Sequence, residues 1–288
     1  MPAASADLRT VAQRRDRAFR IASGRWALPA LIFLLVFFVL PLLANILRSL
    51  PAENPFGFYA TLFSDPYYLG VIWQTVEVSA LTTIASLILC YPVAYFMVRH
   101  AGKWNGVFLF LLIAPLLTSI IMRTFGWTVL LARRGLVNTW LAELGFLQNP
   151  VNMINAPIMV YIGLIHVLAP FMVLSLIPVL QGIDRSLEEA AEGLGASRLR
   201  TLLTITLPLS LDGIASGCIL VFVLANGSFL TMLLLGGRQV TTLALLLYQQ
   251  FALTQNIGFA AAMGNVLLLF ALAGIAIQLR FLKRKGVR

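Results

Sequence analysis

Six runs of predominantly apolar residues, at 27–48, 71–97, 105–131, 157–180, 207–235 and 258–280, decide what this chain can fold into. At 1.5 Å per residue each is long enough to cross the roughly 30 Å hydrocarbon core of a bilayer. In lipid a segment must satisfy its own backbone hydrogen bonds, so the six are expected as helices rather than strands of an open sheet. Composition agrees: of 288 residues, 60% are hydrophobic and 11% charged, against about 25% charged in a soluble domain. The expected architecture is an all-α membrane protein. One six-span domain, 27–281, lies between a basic N-terminal tail, 1–26, and a basic C-terminal tail, 282–288.

The net charge of +10 invites a nucleic-acid reading, but its distribution gives a different one. If the N-terminus is cytoplasmic, sixteen Lys and Arg fall on the cytoplasmic side and five on the other. The sixteen include Arg9 to Arg25, Arg99, Lys103, Arg185, Arg198, Arg200 and the Arg280–Arg288 cluster. The five are Arg48, Arg123, Arg133, Arg134 and Arg238. An excess of basic residues marks the cytoplasmic flank of a span, so both termini are expected there. The basic tails then serve topology and contact with anionic lipid, and nucleic acid is not an expected partner. The first apolar run is long enough to span, which separates it from a cleaved secretory signal. Cys90 and Cys218 lie inside apolar runs without metal-ligand spacing, so they are expected as small hydrophobes, with no metal site.

Segment 49–70, with Pro51, Pro55, Gly57 and Asp65-Pro66, is expected as an ordered turn region. Tyr67, Tyr68 and Trp73 fall where an aromatic belt would lie. A short interfacial helix is expected at Leu136–Leu144 within 133–156.

The fourth loop, 181–206, is unlike the others. Four of the chain's eleven acidic residues, Asp184, Glu188, Glu189 and Glu192, fall within nine positions of it. Ser186 with Glu189 three residues on has the spacing of a capping box, which predicts a helix to about Leu194. Gly195 is placed to end that helix in a left-handed conformation. Ser197 can cap a second helix carrying Arg198 and Arg200 and running to Pro208, which suits a turn into the next span. The small pair Ala190-Ala191 among these charges would let another protein approach closely.

Glu189-Ala190-Ala191, then Gly195, then Ile205-Thr206-Leu207-Pro208, resembles the signature loop of permease subunits of binding-protein-dependent ABC importers, at every fixed position over 20 residues. A softer resemblance to the spermidine/putrescine type covers most of the chain beyond residue 60. It is carried by Asp65-Pro66-Tyr67-Tyr68-Leu69, Tyr91-Pro92-Val93-Ala94-Tyr95, Arg123-Thr124-Phe125-Gly126-Trp127, Arg134-Gly135-Leu136-Val137-Asn138 and Leu235-Gly236-Gly237. The resemblance implies a type I importer permease fold in a bacterial inner membrane, with coupling helices between spans four and five. It implies a cytosolic ATPase dimer that binds ATP and Mg, a second, distinct permease subunit, and an extracytoplasmic substrate-binding protein. The coupling residues it implies are Ser186, Glu188, Glu189, Ala190, Ala191, Glu192, Gly195, Ala196, Ser197, Arg198 and Pro208. The chain has no G-x-x-x-x-G-K-[ST] phosphate loop, so no ATP hydrolysis, no cofactor and no catalytic residue are expected in it.

Ionisable and polar groups inside spans are costly and mark candidate pathway positions. Glu77 either favours a cationic solute such as a polyamine, or is an interfacial carboxylate that reaches water or pairs with Arg123. Asn226, Ser228 and Thr231 form a polar run around Gly227 that either lines the pathway or packs helices together. His166 is expected to pack, and Asp212 to sit at a helix end near the loop arginines. Importers of other cations, amino-acid-like compounds or anions remain rivals. An ATP-independent channel or secondary transporter would leave the loop motif unexplained. A membrane enzyme would need a catalytic constellation that is not found in the spans.

Overall fold

The computed structural model describes residues 28–146, 153, 156–236 and 239–285, with side chains to residue 280. The basic residues before Leu28, Arg238 and the last three residues lie outside the described residues, as does most of 147–155. Every regular element among the described residues is helical. Four helices are long and apolar enough to cross a membrane, and six if each of two bent pairs counts as one span.

The long helices are α1 (Leu28–Arg48), α3 (Pro66–Arg99), α7 (Pro157–Gln181) and α13 (Ile257–Lys285). Between α1 and α3 lies α2 (Gly57–Ser64). The bent third span consists of α4 (Asn105–Ile113) and α5 (Ile120–Leu131), followed by the short α6 (Leu136–Glu143). The fourth loop contributes α8 (Arg185–Gly193) and α9 (Arg198–Leu209). The fifth span contains α10 (Leu211–Asn226) and α11 (Leu230–Leu235), and α12 (Leu243–Ala252) precedes α13.

Helices α3, α7 and α10 pack on one another as the centre of the bundle. The buried face of α3 is a row of small polar residues, Thr75, Ser79, Thr82, Thr83 and Ser86, above Cys90 and Ala94. Thr75, Ser79 and Thr83 each donate to the carbonyl one turn back, at 2.7–2.8 Å. A hydroxyl satisfied within its own helix can be buried cheaply, and its small size lets backbones approach. Gly213 and Gly217 serve the same end on α10. A Cβ at Gly213 would lie 3.0 Å from Val179 Cβ, and one at Gly217 would lie 2.7 Å from Met172 Sδ, both on α7.

Two expected single spans are broken. The third turns through 95° between 102–117 and 120–143. Pro115 removes an N–H donor, and Thr118 and Ser119 take extended conformations (ψ 147° and 137°). The Ser119 side chain then accepts from the Ile121 N–H and opens α5. The fifth bends by 69° at Ser210 and stops at Asn226-Gly227-Ser228, residues of low helix propensity. Helix α12 answers to no expected element, because ten residues are too few to span. Its first N–H, on Leu243, is held by Thr75 Oγ1 at 2.8 Å. The sixth expected span, 258–280, runs on to Lys285.

Helix α1 meets the bundle only near its end. None of its most apolar window is buried, but Asn45 donates to Asn265 Oδ1 on α13 at 2.9 Å. The Asn265 amide donates in turn to Ser49 Oγ (3.0 Å) and Tyr59 OH (2.9 Å), closing a buried polar cluster. Prolines leave a further signature. The five-residue π turn Leu35–Val39 ends two residues before Pro41, and a second, Leu202–Thr206, ends two residues before Pro208. A proline ring clashes with the carbonyl four residues back, and widening the preceding turn relieves that clash.

Candidate functional site

The fourth loop folds into two short helices whose ends are set by local chemistry. Helix α8 opens on Asp184, in extended conformation (φ −63°, ψ 125°), whose carboxylate accepts from the Ser186 N–H at 2.9 Å. This corrects the expected capping box: Ser186 already lies inside the helix and does not cap it. Asp184 competes successfully because a carboxylate both caps and complements the helix dipole. That hydrogen bond, with a second from the Ser186 side chain, holds the Asp184 carboxyl below its ordinary value of 3.8.

The end of α8 is a Schellman turn. The Gly195 N–H donates to Glu192 O and the Ala196 N–H to Ala191 O, both at 3.0 Å, with Gly195 at φ +89°. Ser197 then caps α9 by accepting from the Arg200 N–H at 3.4 Å. Pro208 lies in the last turn of α9, before the bend at Ser210.

The orientation of α8 inverts the usual pattern. Leu187, Ala190, Ala191 and Leu194 recur at the helical spacing that normally marks a core face. Here Leu187 is 46% and Leu194 91% exposed, and Ala190 is exposed with Ala191 half-buried. Leu199 and Leu203 of α9 are exposed as well. Glu189 and Glu192 are exposed, and Glu189 makes only a surface ion pair with Arg185 (3.1 Å).

Glu188, by contrast, is 7% exposed. Its carboxylate meets Arg99 Nε at 3.1–3.2 Å and accepts from Thr206 Oγ1 at 2.7 Å. Arg99 also donates from Nη2 to Ile183 O at 3.0 Å. Sequence reasoning grouped Glu188 with its exposed neighbours and missed both Arg99 and the leucines. The 187/190/191/194 spacing was the signal for the leucines, but it does not single out Glu188, because Glu189 and Glu192 fall off that stripe as well. A cavity of about 370 Å³ opens between α8, α9 and the end of α3, walled by Tyr95, His100, Arg198 and Leu199 beside the charged pair.

The candidate pathway residues do not form one group. Glu77 is exposed on α3, and the ion pairs among the described residues do not join it to Arg123. Arg123 is half-buried on α5, with Nε and Nη1 buried and without a hydrogen-bond partner among the described residues. One turn on, Trp127 donates from Nε1 to Nδ1 of His166 at 3.2 Å. His166, expected to pack, lies edge-on against the Trp127 ring with centroids 5.6 Å apart, while the residue as a whole stays exposed. Asn226 is buried and donates to Leu267 O of α13 at 3.5 Å. Ser228 donates to Leu224 O within the fifth span. Thr231 is buried against Gly163 of α7, where an added Cβ would lie 3.3 Å from its Cγ2. Asn226 and Thr231 therefore sit between helices, and Asp212 stands in the first turn of α10.

No family model matches the chain. The spermidine/putrescine transport system permease protein PotB of Haemophilus influenzae is 35% identical over 237 residues, covering 79% of this chain and 83% of that protein. PotB of Escherichia coli is 34% identical over 238 residues, covering 80% and 86%. A crystal structure of a bacterial ABC transporter that imports the acidic polysaccharide alginate has a chain superposing with a TM-score of 0.76 at 19% identity, over 92% of this chain and 99% of that one. At that identity the solved structure shows the fold alone. Apolar spans, a loop motif matched at every fixed position and relatives at this identity lead to one conclusion: the chain belongs to the permease subunits of ABC importers.

Proposed function

We propose that this permease forms half of the pathway of an ATP-driven importer for a polyamine or a similar small solute, and that α8 and α9 dock on a cytosolic ATPase. The supporting observation is the inverted α8: exposed leucines between carboxylates, on a helix anchored from behind by a buried ion pair. Apolar side chains rimmed by charge suit a protein partner better than water. ATP and Mg then belong to the ATPase dimer, a second permease subunit completes the pathway, and an extracytoplasmic binding protein delivers the solute. In this reading the α8–α9 end and both termini face the cytoplasm of a bacterium that carries the subunit in its inner membrane, and the excess of Lys and Arg in those flanks supports it.

The polyamine reading is supported by the two PotB relatives, which belong to spermidine/putrescine transport systems, and by the exposed Glu77. Arg123, with two buried nitrogens that lack a partner among the described residues, favours a second reading in which the solute is anionic or amino-acid-like.

The test is capture of the detergent-solubilised subunit from its native membrane, with and without Glu189→Lys, followed by uptake of radiolabelled spermidine into proteoliposomes holding the captured complex. An ATPase that co-purifies with the natural chain and not with the variant supports docking. A subunit that comes down alone in both cases refutes it. ATP-dependent spermidine uptake selects the polyamine reading; uptake of 4-aminobutyrate instead selects the second.

A further inference from the structure

A docked helix can transmit movement only if something stiff connects it to the spans. Backbone continuity alone does this poorly here. Helix α8 enters through Gly182-Ile183 and leaves through the Leu194–Ser197 turn, both outside regular structure. Among the described residues, the side-chain bonds that join α8 to the bundle converge on one carboxylate. Glu188 holds Arg99, in the last turn of α3, and Thr206, at the end of the π turn in α9. Arg99 closes the figure by also holding Ile183 O, just before α8. The pair is withdrawn from water, with side-chain exposures of 9% and 10%, so salt screens it little. A hydrogen bond of 2.9 Å between Tyr91 OH and Ser210 Oγ separately joins α3 to the bend before α10. The Tyr91 hydroxyl is engaged with Ser210, and Glu188 does the fastening to α8.

We propose that Glu188 is a positioning residue for transport: its bonds to Arg99 and Thr206 make α8, the end of α3 and the start of the fifth span move as one body when α8 is displaced. This rests on the docking reading above. The pair differs in kind from Arg185–Glu189, which is solvated and dispensable for rigidity. Glu189 faces a partner, and Glu188, one residue earlier, faces the chain itself.

The experiment uses the whole complex of two permeases and ATPase in nanodiscs. Cys90 and Cys218 are replaced by Ala, and spin labels are placed at Val93 of α3 and Ser186 of α8. Distances are measured without nucleotide and with Mg-ATP trapped. In the natural background the label distance should stay single and unchanged on Mg-ATP. With Glu188→Gln, a second distance should appear on Mg-ATP as α8 moves without α3. Thr206→Val is nearly isosteric, leaves the ion pair in place and should give a smaller broadening; it decides the matter if Glu188→Gln does not accumulate. An exchanged pair, Arg99→Glu with Glu188→Arg, re-forms the charge contact but not the bond to Ile183 O, and should suppress the second distance only in part. Equal nucleotide-induced changes with and without the substitutions, or none in any, would overturn the proposal. Failure of the natural chain to capture an ATPase would instead overturn the docking reading, and the proposal with it.

Discussion

Gly195 offers a test of whether the shape of the loop, rather than its composition, is what a partner reads. The residue sits at φ +89° and ends α8. A Cβ added there meets nothing within 4 Å, so Gly195→Ala adds no collision. Its whole cost is conformational, about 1–2 kcal/mol for a left-handed alanine. That shifts the balance between the docking-competent turn and its alternatives by a factor of roughly 5–30. Asparagine visits the left-handed region more readily and should recover most of the loss despite its larger side chain. Proline fixes φ near −65° and also removes the 3.0 Å bond from the Gly195 N–H to Glu192 O, so it should be worst. The assay is a titration of detergent-solubilised permease with its ATPase, at equal membrane levels of each variant. Affinity should fall in the order Gly, Asn, Ala, Pro, with Ala weakened by no more than about 30-fold. An order that follows side-chain volume, with Asn weaker than Ala, would refute the conformational account.

Four further outcomes follow from the packing and capping described above. Gly213→Ala should lower thermal stability in detergent by about 1–3 kcal/mol, because the added Cβ meets the stiff Val179 at 3.0 Å. Gly217→Ala should cost less, since the nearest atom it meets is Sδ of the flexible Met172 side chain. Asn265→Ala should cost about 1–3 kcal/mol by leaving buried donors and acceptors unpaired, read as loss of stability with α1 detached from α13. Asp184 should make α8 acid-sensitive. Its folded pKa is depressed, so its stabilisation is present above the unfolded value of 3.8 and is lost as pH falls through the lower folded value. Amide hydrogen exchange of Ser186 and Leu187, followed below pH 5 with rates corrected for intrinsic pH dependence, should show this in the natural chain and lose it in Asp184→Asn.

Much of the fold was legible because the signals are long. Twenty apolar residues in a row mean a span whatever their order, and α3 and α7 appear where the runs predicted them. The breaks in the third and fifth spans were less legible, since Pro115 and the short polar run Asn226-Gly227-Ser228 sit inside apolar stretches long enough to span on their own. Helix α12 was invisible for a different reason: its ten residues are stabilised by a side chain from α3, 168 positions away. In the loop, Gly195 and Ser197 were readable because turn chemistry is local. Glu188 was not, because its partner Arg99 is 89 residues distant and nothing local distinguishes it from Glu189. Among the pathway residues, Asn226 and Thr231 showed the usual ambiguity of small polar groups, which serve helix packing as readily as they line a pore.

The hydroxyl row on α3 has a mechanical consequence. Ser79 and Thr83 return their protons to their own helix, while Thr82 and Ser86 have no hydrogen-bond partner among the described residues. Sliding α3 along α7 or α10 therefore breaks none of these hydroxyl bonds; it costs dispersion contact, which re-forms at the next register, and the 3.7 Å thiol contact from Cys90 to Ala169 O. Thr75, which holds Leu243, is the exception at one end, and Tyr91 with Ser210 at the other. The middle of the bundle is a greased bearing between two pins, whereas the Asn45–Asn265 corner is bolted.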